Sequence, residues 1–525
     1  MKKFFAWTLV LILVLSAFGF TAKNTAADAN EVTISDLIDI ASSGVPCGDN
    51  AGHGNHQTRI VRTSHGEYAC YPTDRGNGTN VNEMSVYKID AEAGTSEVIF
   101  QEVKPYDSSQ ACLIVDNDEN VWMVVVSNDS AKEQFDGRDC GVWLAAYRID
   151  AATDDVDGYT SLLPLAAQGT GYSYSSFYYD PSANCIYTIG FDGDDSLGNI
   201  YWFTFDCSAK EWTGYGQITT DIRHGYPFMI ADGKGGAYVI CQDDYGCSAA
   251  GYPEIGNNNG LTEADLATFR RWSANYCWDE LDFYYIPDMT VDSWTETTIV
   301  PKDYSRVIGD QAYRYSLEGR STNEYPGFQM NNGGDMIIDQ EGNMHVLYKK
   351  TYMLAAYDRS NTESSVYHDV YDLTDPANPV LLSSTLLMEE VSEGVVGSYW
   401  RLYEATDGTL YYMNTIEEVD DEAVFYVRKL TGTPATGYTN EVVAEKTFGR
   451  CDSNITVANM RSNSLIDDTV DVIIMHNGDW DFFQVELPST MPPTGDNSLV
   501  IWGIAAVAAL AGVCVLLNSK KRKLA

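Results

Sequence analysis

One phrase recurs seven times along this chain, and it constrains the fold more than any other feature. The copy IIDQEGNMHVLY, starting at Ile337, shows its parts: an apolar pair, an Asp, a turn rich in Gly and Asn, and an alternating apolar run. That order reads as strand, tight turn, returning strand. The other copies begin at Ile60, Ile114, Tyr178, Ile230, Leu402 and Leu465. The residue after the apolar pair is Arg62, Asp116, Asp180, Asp232, Asp339, Glu404 and Asp467 in turn, acidic in every copy but the first. A second strand–turn–strand phrase follows each copy, as in VYKIDAEAGTSEVIF at Val86–Phe100.

Four strands per unit, repeated every roughly 50–60 residues, predict a ring of sheets, because one such unit cannot bury both faces alone. The fold expected is all-β: a seven-bladed β-propeller of four-stranded blades. A partly helical insertion in blade four and a C-terminal transmembrane helix complete it. The blades fall near 57–100, 111–163, 175–218, 227–300, 335–387, 399–448 and 463–487, within a propeller domain at 30–487. Six or eight blades follow if a unit is split or merged. A single two-sheet sandwich does not accommodate so many units. The last unit stops at Pro488 without a fourth strand, and the free run EVTIS at 31–35 is expected to supply it. Asp36–Ala41 reads as a short helix. Two stretches lengthen the step between blades four and five. Asp243–Leu281 carries a helix opened by Thr262 and Asp265, and Lys302–Gly334 follows. Long connections of this kind gather at one face and shape sites.

The two ends indicate location. Lys2, Lys3 and the apolar run Phe4–Phe20, followed by Ala27-Asp28-Ala29, have the order of a secretory signal peptide over 1–29. At the other end a short stem (488–498) holds Met491-Pro492-Pro493-Thr494-Gly495. An uncharged apolar stretch at 499–517 is long enough to span a bilayer, and 518–525 is a basic cytoplasmic tail. This order resembles the sorting signal of sortase-anchored Gram-positive cell-surface proteins, whose pentapeptide is typically Leu-Pro-x-Thr-Gly. The resemblance implies cleavage between Thr494 and Gly495 and covalent transfer of Thr494 to the cell wall. The membrane is then touched only through 499–517 before sorting. Met491 stands where the family usually has Leu, which leaves the sortase class open.

The net charge of −42 excludes a general affinity for nucleic acid, which needs clustered Lys and Arg. No cofactor is implied. The acidic surface leaves room for a structural Ca²⁺, with Asp192, Asp194 and Asp195 as candidates beside Asp116, Asp118 and Asn120. The DNDEN acids also fit ordinary turn capping. Eleven cysteines show no zinc spacing; Cys241 and Cys247 flank a short loop and are close enough in sequence to pair.

Chemistry is expected at the mouth ringed by the starts of the innermost strands. Those positions carry His56, Arg59, Gln110, Tyr174, His224, Tyr226, Asp335, Tyr399, Arg401 and Arg461. Arg59 and Arg401 occupy a repeat position that is otherwise mostly apolar. There a guanidinium is either a structural ion pair or a clamp for carboxylates and sulfates. The stretch TRIVRTSHGEYACYPTDRG is similar to the first blade of sialidases, which implies an anion-binding Arg at Arg59 and an acid/base at Asp74. The sialidase Asp-box turns are absent. The stretches around His224 and Asp335 resemble repeats of carbohydrate-active propellers, including polysaccharide lyases. That resemblance implies proton transfer by His224 and Tyr226, with Arg59 neutralising a uronate. The leading expectation is a binding module holding a glycan or protein ligand at the mouth through His56, Arg59, Tyr174, Tyr399 and Arg401. A carbohydrate-active enzyme at the same mouth and a structural surface protein are the alternatives.

Overall fold

The computed structural model describes residues 31–40, 58–74, 82–106, 110–127, 143–162, 176–191, 199–220, 224–243, 245–246, 276–277, 280–301, 329–353, 362–388, 400–417, 423–448, 451–476 and 479–488. They form six four-stranded antiparallel sheets and one five-stranded sheet, beside a small two-stranded ladder, with strands in each of the first six blade sheets laid side by side in chain order. This is a seven-bladed β-propeller. Blade one runs Ile60–Thr63, Gly66–Asp74, Asn82–Asp90 and Thr95–Tyr106 from the inside out. Blade four uses His224–Ala231, Ala237–Asp243, Leu281–Ile286 and Thr295–Val300. Blade five uses Gln329–Ile338, Asn343–Met353, Thr362–Asp372 and Val380–Met388. Blade six uses Arg401–Glu404, Leu410–Glu417, Ala423–Thr433 and Gly437–Phe448.

Blade seven is closed by the chain's beginning. Thr33–Ile34 pairs with Val485–Glu486, outside the strands Cys451–Val457, Thr469–His476 and Asp479–Glu486. The short helix expected at Asp36–Ala41 is not formed: Ile38–Asp39 is extended and pairs with Asp481–Phe482. Residues two apart share a face only in an extended chain. Extension therefore lets Ile38 and Ile40 both join the cluster that contains Trp480 and Phe482. Blade seven also begins earlier than the repeat suggested. Its innermost strand is Cys451–Val457, not the apolar pair at Leu465.

The repeated acid has one local job in blades two to five. Asp116, Asp180, Asp232 and Asp339 each accept backbone N–H groups from the turn that follows them. Each closes an Asx turn that caps the hairpin. Asp116 also accepts from Asn120 Nδ2 and Trp122 Nε1, so Asp116 acts as a turn cap. No group of three or more metal-ligating side chains occurs among the described residues. Asp192, Asp194 and Asp195 lie outside them.

Alternate residues of each strand pack against the neighbouring blades. Trp122, Trp202, Trp400 and Trp480 are all fully buried. Burying one large apolar side chain contributes about 1.5–3 kcal/mol, so the blade seams supply most of the cohesion. Cys241 is buried, and Cys247, its suggested partner, lies outside the described residues. Of the blade-four insertion, the described part is a two-residue ladder, Tyr245–Gly246 with Tyr276–Cys277. The helix expected within it, the signal segment, the sorting motif and the 499–517 segment lie outside the described residues. No helix among the described residues is long and apolar enough to cross a membrane.

Candidate functional site

The two faces of the propeller are built differently. On one, hairpin turns such as 64–65, 181–184 and 339–342 link strands tightly. On the other, where the innermost strands begin, the connections include 128–142, 163–175, 244–280, 301–328 and 389–400. Long connections carry sites more often than tight turns do. This second face therefore carries the candidate site.

The channel beneath it is filled from the opposite side. The connection from Cys451–Val457 to Thr469–His476 turns inward through a 3₁₀ turn, Met460–Ser462, whose cap Asn459 accepts from Arg461 N. Asn463 Nδ2 donates to the Val115 carbonyl of blade two, and Leu465 N donates to the Arg62 carbonyl of blade one. Arg461 extends from this turn into the channel. Its Nη2 lies 2.8 Å from Asp335 Oδ1, and its guanidinium carbon lies 5.2 Å from the Phe228 ring centre. Asp335 also accepts from Met336 N and, through Oδ2, from Leu402 N of blade six. One carboxylate thus joins blades five, six and seven in the channel.

Arg401, at the start of the innermost strand of blade six, and Arg59, just before that of blade one, are likewise buried. Arg401 Nη1 donates to the carbonyls of Gly334 (2.9 Å) and Trp400 (3.0 Å). Arg59 places its guanidinium carbon 5.9 Å from the Trp480 ring centre. Burial pushes the Cys70 thiol up to about 12, with Arg59 partly opposing the rise. Gly334 has a packing reason to lack a side chain: a Cβ there would meet the Trp400 ring at 2.6 Å.

Blade four supplies a hydrogen-bonded cluster at this end. His224 Nε2 lies 3.1 Å from Asp282 Oδ2 and 3.2 Å from the Tyr284 hydroxyl. The Tyr284 hydroxyl donates its one proton to Glu296 Oε1 (2.8 Å), so toward His224 it accepts. An ionised Asp282 also accepts only, and it takes a further bond from Thr298 Oγ1. A neutral His224 is therefore assigned its hydrogen on Nε2. Burial raises Tyr284 far above the usual tyrosine range, with Cys241 and Asp282 adding to it.

Two residues further on, Tyr226 holds φ = +51°, a conformation a bulky side chain rarely adopts. It lies in a bulge, since register shifts between Gly225 and Phe228. Blade five carries a bulge at the matching end, between Gly333 and Asp335. Gly333 N donates across to the buried Gln242 Oε1 of blade four, which ties the two bulges together. Bulges of this kind re-aim side chains and cluster beside active sites. Lys349 also sits at this end, 5.9 Å from the Trp400 ring centre, and burial pulls its ammonium down to about 8.

Of the sequence-predicted residues, Arg59, His224, Tyr226, Asp335, Arg401 and Arg461 are thus placed around one end of the channel. Asp74 ends the strand Gly66–Asp74 at the same face. His56, Tyr174 and Tyr399 lie outside the described residues. Asp282, Tyr284, Gln242 and Lys349 were missed. Each occupies an inner-sheet strand position where composition alone does not separate a site residue from a packed one. A groove of about 810 Å³ opens on the tight-turn face, lined by His65, Glu67, Lys88, Asp90, Glu92 and Glu97 among others. It contains none of the sequence-predicted residues.

The fold and this channel end define the chain as a seven-bladed propeller with a polar cluster at one mouth. Among solved structures it is similar to an ulvan lyase described as a new family of polysaccharide lyase, at 10% identity and a TM-score of 0.48, covering 86% of this chain and 95% of that one. An α-L-arabinofuranosidase of Fusarium graminearum matches at 11% identity and a TM-score of 0.38, over 72% and 92% of the two chains. Trypanosoma rangeli sialidase matches at 11% identity and 0.38, over 87% and 59%. No protein-family model and no curated protein matches the sequence. The propeller assignment rests on the strand topology described above.

Proposed function

We propose that this protein binds an acidic glycan at the mouth formed by the inner ends of blades four to six. The observation that carries this reading is the pair of linked bulges at Gly225–Phe228 and Gly333–Asp335, with Tyr226 held at positive φ beside His224. Strain of this kind persists where the surroundings impose it, and it concentrates at ligand sites. Tyr226 offers a sugar a stacking surface, and the Arg401 guanidinium suits uronate or sulfate groups. The protein acts outside the cell and is held on the wall through Thr494, as the signal segment and the Met491–Gly495 motif suggest.

The His224–Asp282–Tyr284 cluster favours a second reading, a lyase that removes the proton beside a uronate carboxylate. His224 would then act as the base. Both readings are tested by presenting residues 30–494, which include the whole compact unit Val32–Leu487, to an array of sialylated, uronate and sulfated glycans. Each hit is then assayed for unsaturated or reducing ends. Binding without product supports the binding module, and binding with unsaturated ends supports the lyase. Absence of binding to every acidic glycan rejects both and leaves a protein ligand or a structural role.

A further inference from the structure

Far from the mouth, toward the tight-turn face, two histidines are completely buried at the seam between blades five and six. His345 Nε2 lies 3.0 Å from Asp339 Oδ2, and His345 Nδ1 lies 2.9 Å from His368 Nε2. Tyr438 of blade six covers both rings, with centroid distances of 5.9 Å and 5.0 Å. The seam is pinned around them by Gln340 N to Glu404 Oε1, Tyr438 N to Thr385 Oγ1 and Asn440 Nδ2 to the Leu387 carbonyl.

Donor counting fixes the protons in this chain. Ionised Asp339 only accepts, so His345 donates through Nε2. With both imidazoles neutral, His345 Nδ1 accepts and His368 must donate through Nε2. His368 Nδ1 is then a bare acceptor, buried without a hydrogen-bond partner. A further proton on the pair leaves an N–H at His368 Nδ1 with no acceptor, inside a seam closed by Tyr438. An orphaned, charged donor of this kind is far costlier than a bare nitrogen.

We propose that Asp339, His345 and His368 form a proton-sensitive latch that holds blades five and six together when neutral and releases the seam when it takes up a proton. The charged groups around Tyr438, the titratable side chain of blade six that covers the pair, are Asp339 and Glu341 from the turn and Glu404 from blade six. The outer strand Val380–Met388 carries none. Burial and the neighbouring His345 hold His368 well below the usual histidine range. Burial pushes Asp339 up, but hydrogen bonds from His345 and Asn343 outweigh it and keep the carboxylate ionised. The folded state therefore binds fewer protons at His368 than the unfolded state does. The contribution is present at neutral pH and fades as pH falls below the unfolded histidine value of about 6.5.

Hydrogen exchange of the full-length protein, corrected for intrinsic pH dependence, tests the latch. In a Glu404→Gln background, which removes the opposing titration of that seam carboxyl, protection in Thr362–Asp372 and Gly437–Phe448 should fall about tenfold per pH unit below about 6.5, as one-proton uptake requires, while Val121–Ser127 of blade two keeps its protection. Adding His368→Gln should abolish that fall. A Glu404→Gln seam with no acid-dependent loss overturns the latch. So does a fall that survives His368→Gln. If His368→Gln does not fold, imidazole NMR of the wild type decides. A His368 titration coincident with the loss of protection supports the latch, and one uncoupled from that loss overturns it.

Discussion

Arg62 and Asp467 stand at the same position of the first and seventh copies of the repeat, and they are bonded to each other at 2.8 Å. The other aligned acids in blades two to five cap their own turns. Arg62 instead reaches out of its blade to Asp467 and, at 2.6 Å, to Asp471, while Glu67 flanks it at 3.6 Å. Blade one and blade seven are the sheets that meet where the ring closes. Thus the one copy that breaks the acidic pattern carries the cation that joins the ends of the ring.

Replacing Arg62 by Met should destabilise the protein by about 3–5 kcal/mol, because it leaves Asp471 buried without its cation. Adding Asp471→Leu should recover much of that loss. Urea unfolding of the two single variants and the double variant gives the coupling. Additive effects would mean that the pair does not hold the closure together.

Gly216 and Gly190 lie in blade three but should respond oppositely to Ala. A Cβ at Gly216 would run into the Trp202 indole, whereas at Gly190 it meets nothing within 4 Å. Gly216→Ala should cost at least about 1–3 kcal/mol by overpacking. Gly190→Ala should change thermal stability little. Comparing the two melting temperatures checks both expectations.

Glu404 sets a pH dependence with a definite sign. Burial pushes its carboxyl up to about 7, with Asp339 and Glu341 adding to the rise. A raised acid binds its proton in the folded state after the unfolded state has lost it. The stability it contributes is present below about pH 4.3 and is lost as pH rises through its folded value near 7. Glu404→Gln should therefore raise the melting temperature relative to wild type at pH 8 more than at pH 5, roughly the two sides of that window. Equal shifts at both values would contradict the assignment.

Tyr226→Gly should separate stability from binding. Glycine accepts positive φ without a steric cost, so relief of strain of about 1–3 kcal/mol offsets the lost packing. Glycan binding should weaken because the aromatic surface is gone. Retained affinity on the array would exclude Tyr226 from the site. Weakened affinity with unchanged or improved thermal stability is the expected result.

Much of the architecture was legible because a hairpin is a local event. The apolar pair, the Asx turn and the alternating return strand are each set by neighbouring residues, so seven copies announce seven blades. Blade seven was misread at Leu465 because its true inner strand, Cys451–Val457, lacks the acid-turn phrase. In its place Ala458 follows the strand, and its N–H bonds the Asp471 carbonyl. Part of the candidate cluster was legible. His224, Tyr226, Asp335 and Arg461 were picked out as residues near the starts of the innermost strands, and Arg59 and Arg401 also as guanidiniums at a mostly apolar repeat position. Asp282 and Gln242 follow an ordinary strand alternation, and their roles depend on which neighbouring blade they face.

The sequence alone determined the number of sheets, the strands per sheet and the need for a closing strand, since period-two burial and turn chemistry act over a few residues. Only the tertiary structure decided what fills the channel and what the charges do there. Arg461 meets Asp335 and Arg62 meets Asp467 because closing a ring brings together residues hundreds of positions apart. A buried charge takes whichever partner that closure delivers.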